Sequence, residues 1–123
     1  MKVKTSLAFD EQLALLSHAD RIKIALFIQQ IQQHGLRGLQ GRNKSSAPTN
    51  PHTKKERANF DYAQKHCLWH YHIGIPEYVG DDDDMTSECI LHYQRFDDEI
   101  VLVDISTHPP FELPSQDKLK QLQ

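Results

Sequence analysis

The sequence predicts an α+β fold in which an N-terminal edge strand and a helical pair pack on a small antiparallel sheet. Three observations carry this. Apolar residues recur at spacings of three and four within residues 10–34, the period of an amphipathic helix. Between residues 67 and 108 the pattern changes to alternation at period two, the signature of half-buried strands. The 123 residues amount to one domain, long enough to bury a core without staples. The reading is a single domain over residues 1–114, with a flexible basic loop at 35–59, an acidic loop at 77–86 and a polar tail at 115–123.

Residues 2–8 alternate weakly and read as a short edge strand. Asp10 reads as a helix N-cap, with Leu13 and Leu16 on one face. Ser17 and Asp20 form a second start signal of capping-box type. Ile24, Phe27, Ile28 and Ile31 continue the stripe, and Gly35 after His34 is a left-handed stop. A helical hairpin or one kinked helix over 10–34 follows. Residues 35–59 hold glycines, prolines and small polar residues with no surviving period, so a long mobile loop is expected.

In residues 67–75, Cys67, Trp69, Tyr71, Ile73 and Ile75 share one face, expected to be core against the helices. Leu68, His70, His72 and Gly74 share the other. Pro76 ends the strand, and the aspartate run 81–84 repels itself into solvent. Residues 88–96 and 99–106 then read as a hairpin around Asp97 and Asp98, with Phe96 facing Glu99 and His92 facing Val103. The second of these strands is apolar on both faces and is expected to be central. Pro109 and Pro110 end it.

Composition bounds the partners. No apolar run approaches the roughly 18 residues of a membrane span, and no apolar stretch follows the first lysines, so no membrane partner and a cytoplasmic location are expected. Cys67 and Cys89 are too few for a disulfide framework or a closed zinc site, and both are expected as buried thiols in strands. The net charge of −3 is unevenly spread: residues 37–76 carry seven cations against two acids, and residues 77–117 twelve acids against Arg95 alone. A basic stretch of this kind suits phosphates or an acidic protein.

The chemistry centres on histidine. Of eight histidines, five (His66, His70, His72, His92 and His108) fall in or at the ends of sheet strands. His70 and His72 project from one face, where they could bind a metal, move protons or rest on a wet surface. His108 ends the last strand just before a Pro-Pro turn, at the rim of the sheet. No HExxH helix, spaced calcium loop, nucleophile elbow or phosphate-binding glycine loop is present. A metal-free ribonuclease remains chemically open: cleaving RNA through its own 2′-hydroxyl needs a base, an acid and a cation. His70, His72, His92 and His108 could supply the first two, and Arg95, or Arg57 with Lys65, the third. Tyr93 and Phe111 could stack on a base. No cofactor is expected.

The element order, with the segment ECILHYQRFDDEIVLVDISTHPPFEL at residues 88–113, resembles the RelE/ParE toxin superfamily of bacterial toxin–antitoxin systems. Ile90, Leu91, Tyr93 and Arg95 stand in that family's apolar strand with a Tyr and a basic residue. Asp97 and Asp98 stand in its acidic turn, and Thr107, His108 and Phe111 in its closing motif. The resemblance implies a ribosome-associated mRNA endonuclease held inactive by a cognate antitoxin, with His108 catalytic and Phe111 near the substrate. Other members of the superfamily inhibit DNA gyrase, so a non-enzymatic toxin with a protein target is the alternative. A metal-binding hydrolase using His70 and His72 is the third.

Overall fold

The computed structural model describes residues 1–109 and 111–119. In chain order these form β1 (Lys2–Thr5), α1 (Leu7–Ala14), α2 (His18–His34), β2 (Asn43–Ser45), α3 (Lys54–Lys65), β3 (Leu68–His72), β4 (Cys89–Arg95), β5 (Glu99–Thr107) and a 3₁₀ turn at Gln116–Lys118. One five-stranded sheet runs β1-β5-β4-β3-β2. β1 lies parallel to β5, and every other pair is antiparallel. The architecture is α+β, as expected, but the sheet is mixed and has one more strand than the sequence suggested.

Each helix begins where a side chain can satisfy free backbone N–H groups. Ser6, rather than Asp10, caps α1 by accepting from Phe9 N–H, and Ser17 caps α2 by accepting from Asp20 N–H. Thr53 and Glu56 form a reciprocal capping box on α3. This helix and β2 correct the expectation of one long loop over 35–59.

α1 and α2 cover one face of the sheet. Phe9, Ile24, Phe27 and Ile31 meet Tyr71, Leu91, Tyr93, Ile100 and Leu102 there, and the Phe27 ring stacks on Tyr71 at 4.7 Å. A smaller apolar cluster of Ala63, Leu68, Val101, Val103 and Leu119 seals α3 onto the opposite face. Leu119 and Lys118 thereby tie part of the expected polar tail into the fold; residues 120–123 lie outside the described residues.

Two local features set the registers. Gly74 takes φ +79°, which turns the chain out of β3 after His72, although Ile73 and Ile75 stay in the core. A β-bulge shifts the pairing between His92 and Tyr93, so His92 faces Asp104 rather than Val103. The bulge leaves Val103 and Asp104 both on the α3 side of the sheet. The expected Phe96–Glu99 turn is present, with Phe96 N–H donating to Glu99 O at 2.8 Å. Cys67 and Cys89 are half-buried rather than buried, and Cys67 precedes β3 in a left-handed conformation.

Candidate functional site

The face of the sheet under α3 is only half apolar. Beside Leu68, Val101 and Val103 lies a polar patch assembled from every strand except β1. Partners in an antiparallel ladder point to the same side, so the register Lys44–His70, His70–His92 and His92–Asp104 draws one polar row across four strands. His72 lies two residues beyond His70, on the same side, and Ser106 two beyond Asp104. His108 follows at the end of β5 and closes the group.

The rings are neighbours. The centroid of His70 lies 6.3 Å from that of His72 and 6.5 Å from that of His92, and His72 lies 5.9 Å from His108. Phe111 covers the patch, with its ring 4.8 Å from His70, 5.8 Å from His92 and 5.5 Å from His108. Of the four rings, His70, His72 and His92 are buried, and only His108 is exposed. The first three therefore do not rest on a wet surface.

Each buried imidazole has a particular partner. His70 Nδ1 lies 2.9 Å from Ser46 Oγ, and His92 Nε2 lies 2.7 Å from Ser106 Oγ. Ser87 N–H lies 3.0 Å from His72 Nδ1 and donates to it when the ring proton sits on Nε2. Ser87 O lies at the same 3.0 Å and accepts when Nδ1 carries the proton, which leaves Nε2 free. Nδ1 therefore keeps a Ser87 partner in either tautomer. His92 Nδ1 is the one buried side-chain nitrogen or oxygen among the described residues with no hydrogen-bond partner.

Electrostatics hold the buried rings neutral. Burial, reinforced by His92, His72, His108 and Lys44, pushes His70 down to about 3. Burial also lowers His92, to about 4, although Asp104 pulls the other way. Much of that carboxylate's influence is spent on Lys118, whose Nζ lies 3.0 Å from Asp104 Oδ1. His72 is lowered chiefly by burial, partly opposed by the Ser87 backbone.

Two clefts open on the patch, and His108 lines both. One, of about 620 Å³, runs between β2 and α3 and is lined by Lys44, Ser46, Lys55, Asn59, His70 and Phe111 among others. The other, of about 360 Å³, is lined by Arg42, His72, Ser87, Glu88 and Pro109. β2 is held close enough to serve both. Its backbone pairing extends to Arg42 O, which accepts from His72 N–H, and to Ser46 N–H, which donates to Leu68 O. Gly41 permits this approach, since a Cβ there would sit 2.1 Å from His72 O.

Several residues singled out from sequence lie elsewhere. Arg95 stacks its guanidinium on Trp69, 4.6 Å from the ring centre, and Trp69 packs on the helix-side core. Tyr93 is fully buried in that same core and donates its hydroxyl to Asn43 Oδ1, so it cannot stack on a base. Arg57 bonds His52 O from the exposed side of α3, and Lys65 is exposed at its end; neither lines either of these two clefts. The cations that do line the clefts are Arg42, Lys44 and Lys55. The signal of Arg42 and Lys44 in the sequence is alternation in R-x-K-x-S at 42–46, hidden within a segment of loop composition. Among the described residues no group of three or more His, Cys, Asp or Glu is placed to hold a metal ion, and the Nδ1 atoms of His70 and His72 are bonded to serine partners. No helix among the described residues is long and apolar enough to cross a membrane.

Compared with protein-family models, with curated proteins and with solved structures, the chain matches none.

Proposed function

We propose that this chain is a metal-independent endoribonuclease, acting as the RelE-type toxin of a toxin–antitoxin pair on mRNA at the ribosome. One observation carries the reading: four imidazoles and an aromatic lid converge on one sheet face beside the cations Arg42, Lys44 and Lys55, with His108 open to solvent between two clefts. RNA cleavage by its own 2′-hydroxyl needs that inventory and nothing more. A base takes the 2′-hydroxyl proton, the 2′-oxygen attacks phosphorus, and an acid protonates the departing 5′-oxygen. The products are a 2′,3′-cyclic phosphate and a 5′-hydroxyl. His108, the exposed ring of the group, and His72, whose Nδ1 can donate to Ser87 O and leave Nε2 free to take a proton, line the smaller cleft together as the proton-transfer pair. Lys44 supplies positive charge to the phosphorane, and Phe111 offers a stacking face.

The test is cleavage of single-stranded RNA by the purified chain in excess chelator. Cyclic phosphate ends are expected, and their loss in His108→Ala. Cutting that needs added metal and ignores His108→Ala would overturn the reading.

A second reading, a non-enzymatic toxin that binds a protein such as gyrase, draws on the burial of three of the four imidazoles, which leaves one ring facing solvent. It expects growth arrest on induction to persist in His108→Ala, whereas the nuclease reading expects it to vanish.

A further inference from the structure

The aspartate run was expected to be solvated throughout, yet its last member is engaged. Asp84 accepts two bonds from Arg42, Nε to Oδ1 at 2.9 Å and a terminal nitrogen to Oδ2 at 3.0 Å. This is the parallel fork by which a guanidinium also takes two phosphate oxygens. Arg42 lines the smaller cleft together with His72 and His108. The chain that follows Asp84 touches the same three residues. Arg42 N–H donates to Met85 O at 2.8 Å, Ser87 N–H donates to His72 Nδ1, and His108 N–H donates to Glu88 O at 2.7 Å. The acidic loop is therefore built into the wall of the cleft, with a carboxylate on the arginine that lines it.

Resting on the nuclease reading, we propose that Arg42 is a phosphate subsite for the RNA nucleotide next to the one cut, and that Asp84 is the internal stand-in a phosphate must displace. Both side chains are about half exposed, so the exchange requires no opening of the fold. An isolated anion gains little by replacing one carboxylate with itself. A polyanion already held at Lys44 and Lys55 gains a further contact, so the latch favours extended chains over single nucleotides.

The test uses the full chain and a 2′-O-methyl single-stranded oligonucleotide, which binds but cannot be cut, followed by fluorescence anisotropy over a range of salt. Asp84→Asn is expected to tighten binding roughly fivefold and to steepen the salt slope by about 0.7, the value for one added phosphate contact on a single strand. Asp82→Asn removes the same charge from the same loop without freeing Arg42, and is expected to change affinity by less than about twofold. In an Arg42→Ala background Asp84→Asn is expected to add nothing. Equal gains from Asp84→Asn and Asp82→Asn, or a gain that survives Arg42→Ala, would overturn the subsite while leaving the nuclease reading intact. A wild-type chain that neither binds nor cuts RNA would remove both.

Discussion

On β4, Leu91 and Tyr93 enter the core beneath α2, while His92 between them enters the patch beneath Phe111. All three are completely buried. Burial on the helix side is apolar and stabilises at about 25 cal/mol per Å². Burial on the histidine side stabilises only where each nitrogen finds a partner. Ser46, Ser87 and Ser106 each partner one ring nitrogen, Lys118 pairs with the buried Asp104 beside them, and His92 Nδ1 has no partner. The difference teaches that the helix side of this sheet supplies most of the apolar burial, while the other side uses that stability to hold imidazoles in an environment they would otherwise avoid.

The largest expected effect breaks the two faces apart most cleanly. His108→Ala should lower RNA cleavage by roughly a hundred-fold to ten-thousand-fold, the range of a lost proton-transfer group, while the melting temperature stays within a few degrees. Phe27→Ala is its mirror image. Loss of the ring stacked on Tyr71 should destabilise the fold by roughly 3–5 kcal/mol in denaturant titration, with cleavage per folded molecule retained. A Phe27→Ala protein that is stable but inactive would dissolve the division.

Acid sharpens the contrast. His70 and His92 are held neutral in the fold, below their ordinary value of 6.5, so the unfolded chain binds protons that the folded chain refuses. Their contribution is fully present above about pH 6.5 and is lost as pH falls toward about 4 for His92 and about 3 for His70. At pH 5 each should remove about 2 kcal/mol. His70→Leu should then flatten its share of the slope in melts between pH 7 and pH 5. A wild-type midpoint that does not move over that interval would refute the assignment. The smallest effect is on the helix that covers the histidine face. Thr53→Ala removes the cap of α3 and should lower stability by about 1 kcal/mol, read as a drop of several degrees in melting temperature.

Which parts of this were legible in the sequence follows from period. The helix-side core was, because Tyr71, Leu91, Ile24, Phe27 and Ile31 lie on unbroken two-residue and three-to-four-residue patterns. β2 and α3 were not. In α3 the residues packed on the sheet are few, with Ala63 buried and Tyr62 beside it, so no apolar stripe announces the helix. The Thr53–Glu56 capping box is the local signal of its start, set amid prolines and serines. The bulge at Val103 was invisible for another reason. Strict alternation from Leu102 would send Asp104, Ser106 and His108 to the helix side, and one unpaired residue redirects all three. The spacing of His70 and His72 puts them on one side, but the cover over His70 comes from Phe111 and from β2, a strand in a segment of loop composition.

The parallel pairing of β1 with β5 has a consequence for the order of folding. Lys2 sits opposite Glu99, so the first strand of the chain pairs only with the last. β3, β4 and β5 are antiparallel neighbours in both sequence and space. Loop closure favours the nearer contacts. The meander that carries His70, His72 and His92 is therefore expected to form in the rate-limiting transition state, and the β1 edge to zip on afterwards. Substitutions such as Val3→Ala should then speed unfolding and leave the folding rate nearly unchanged, whereas Leu91→Ala should slow folding itself.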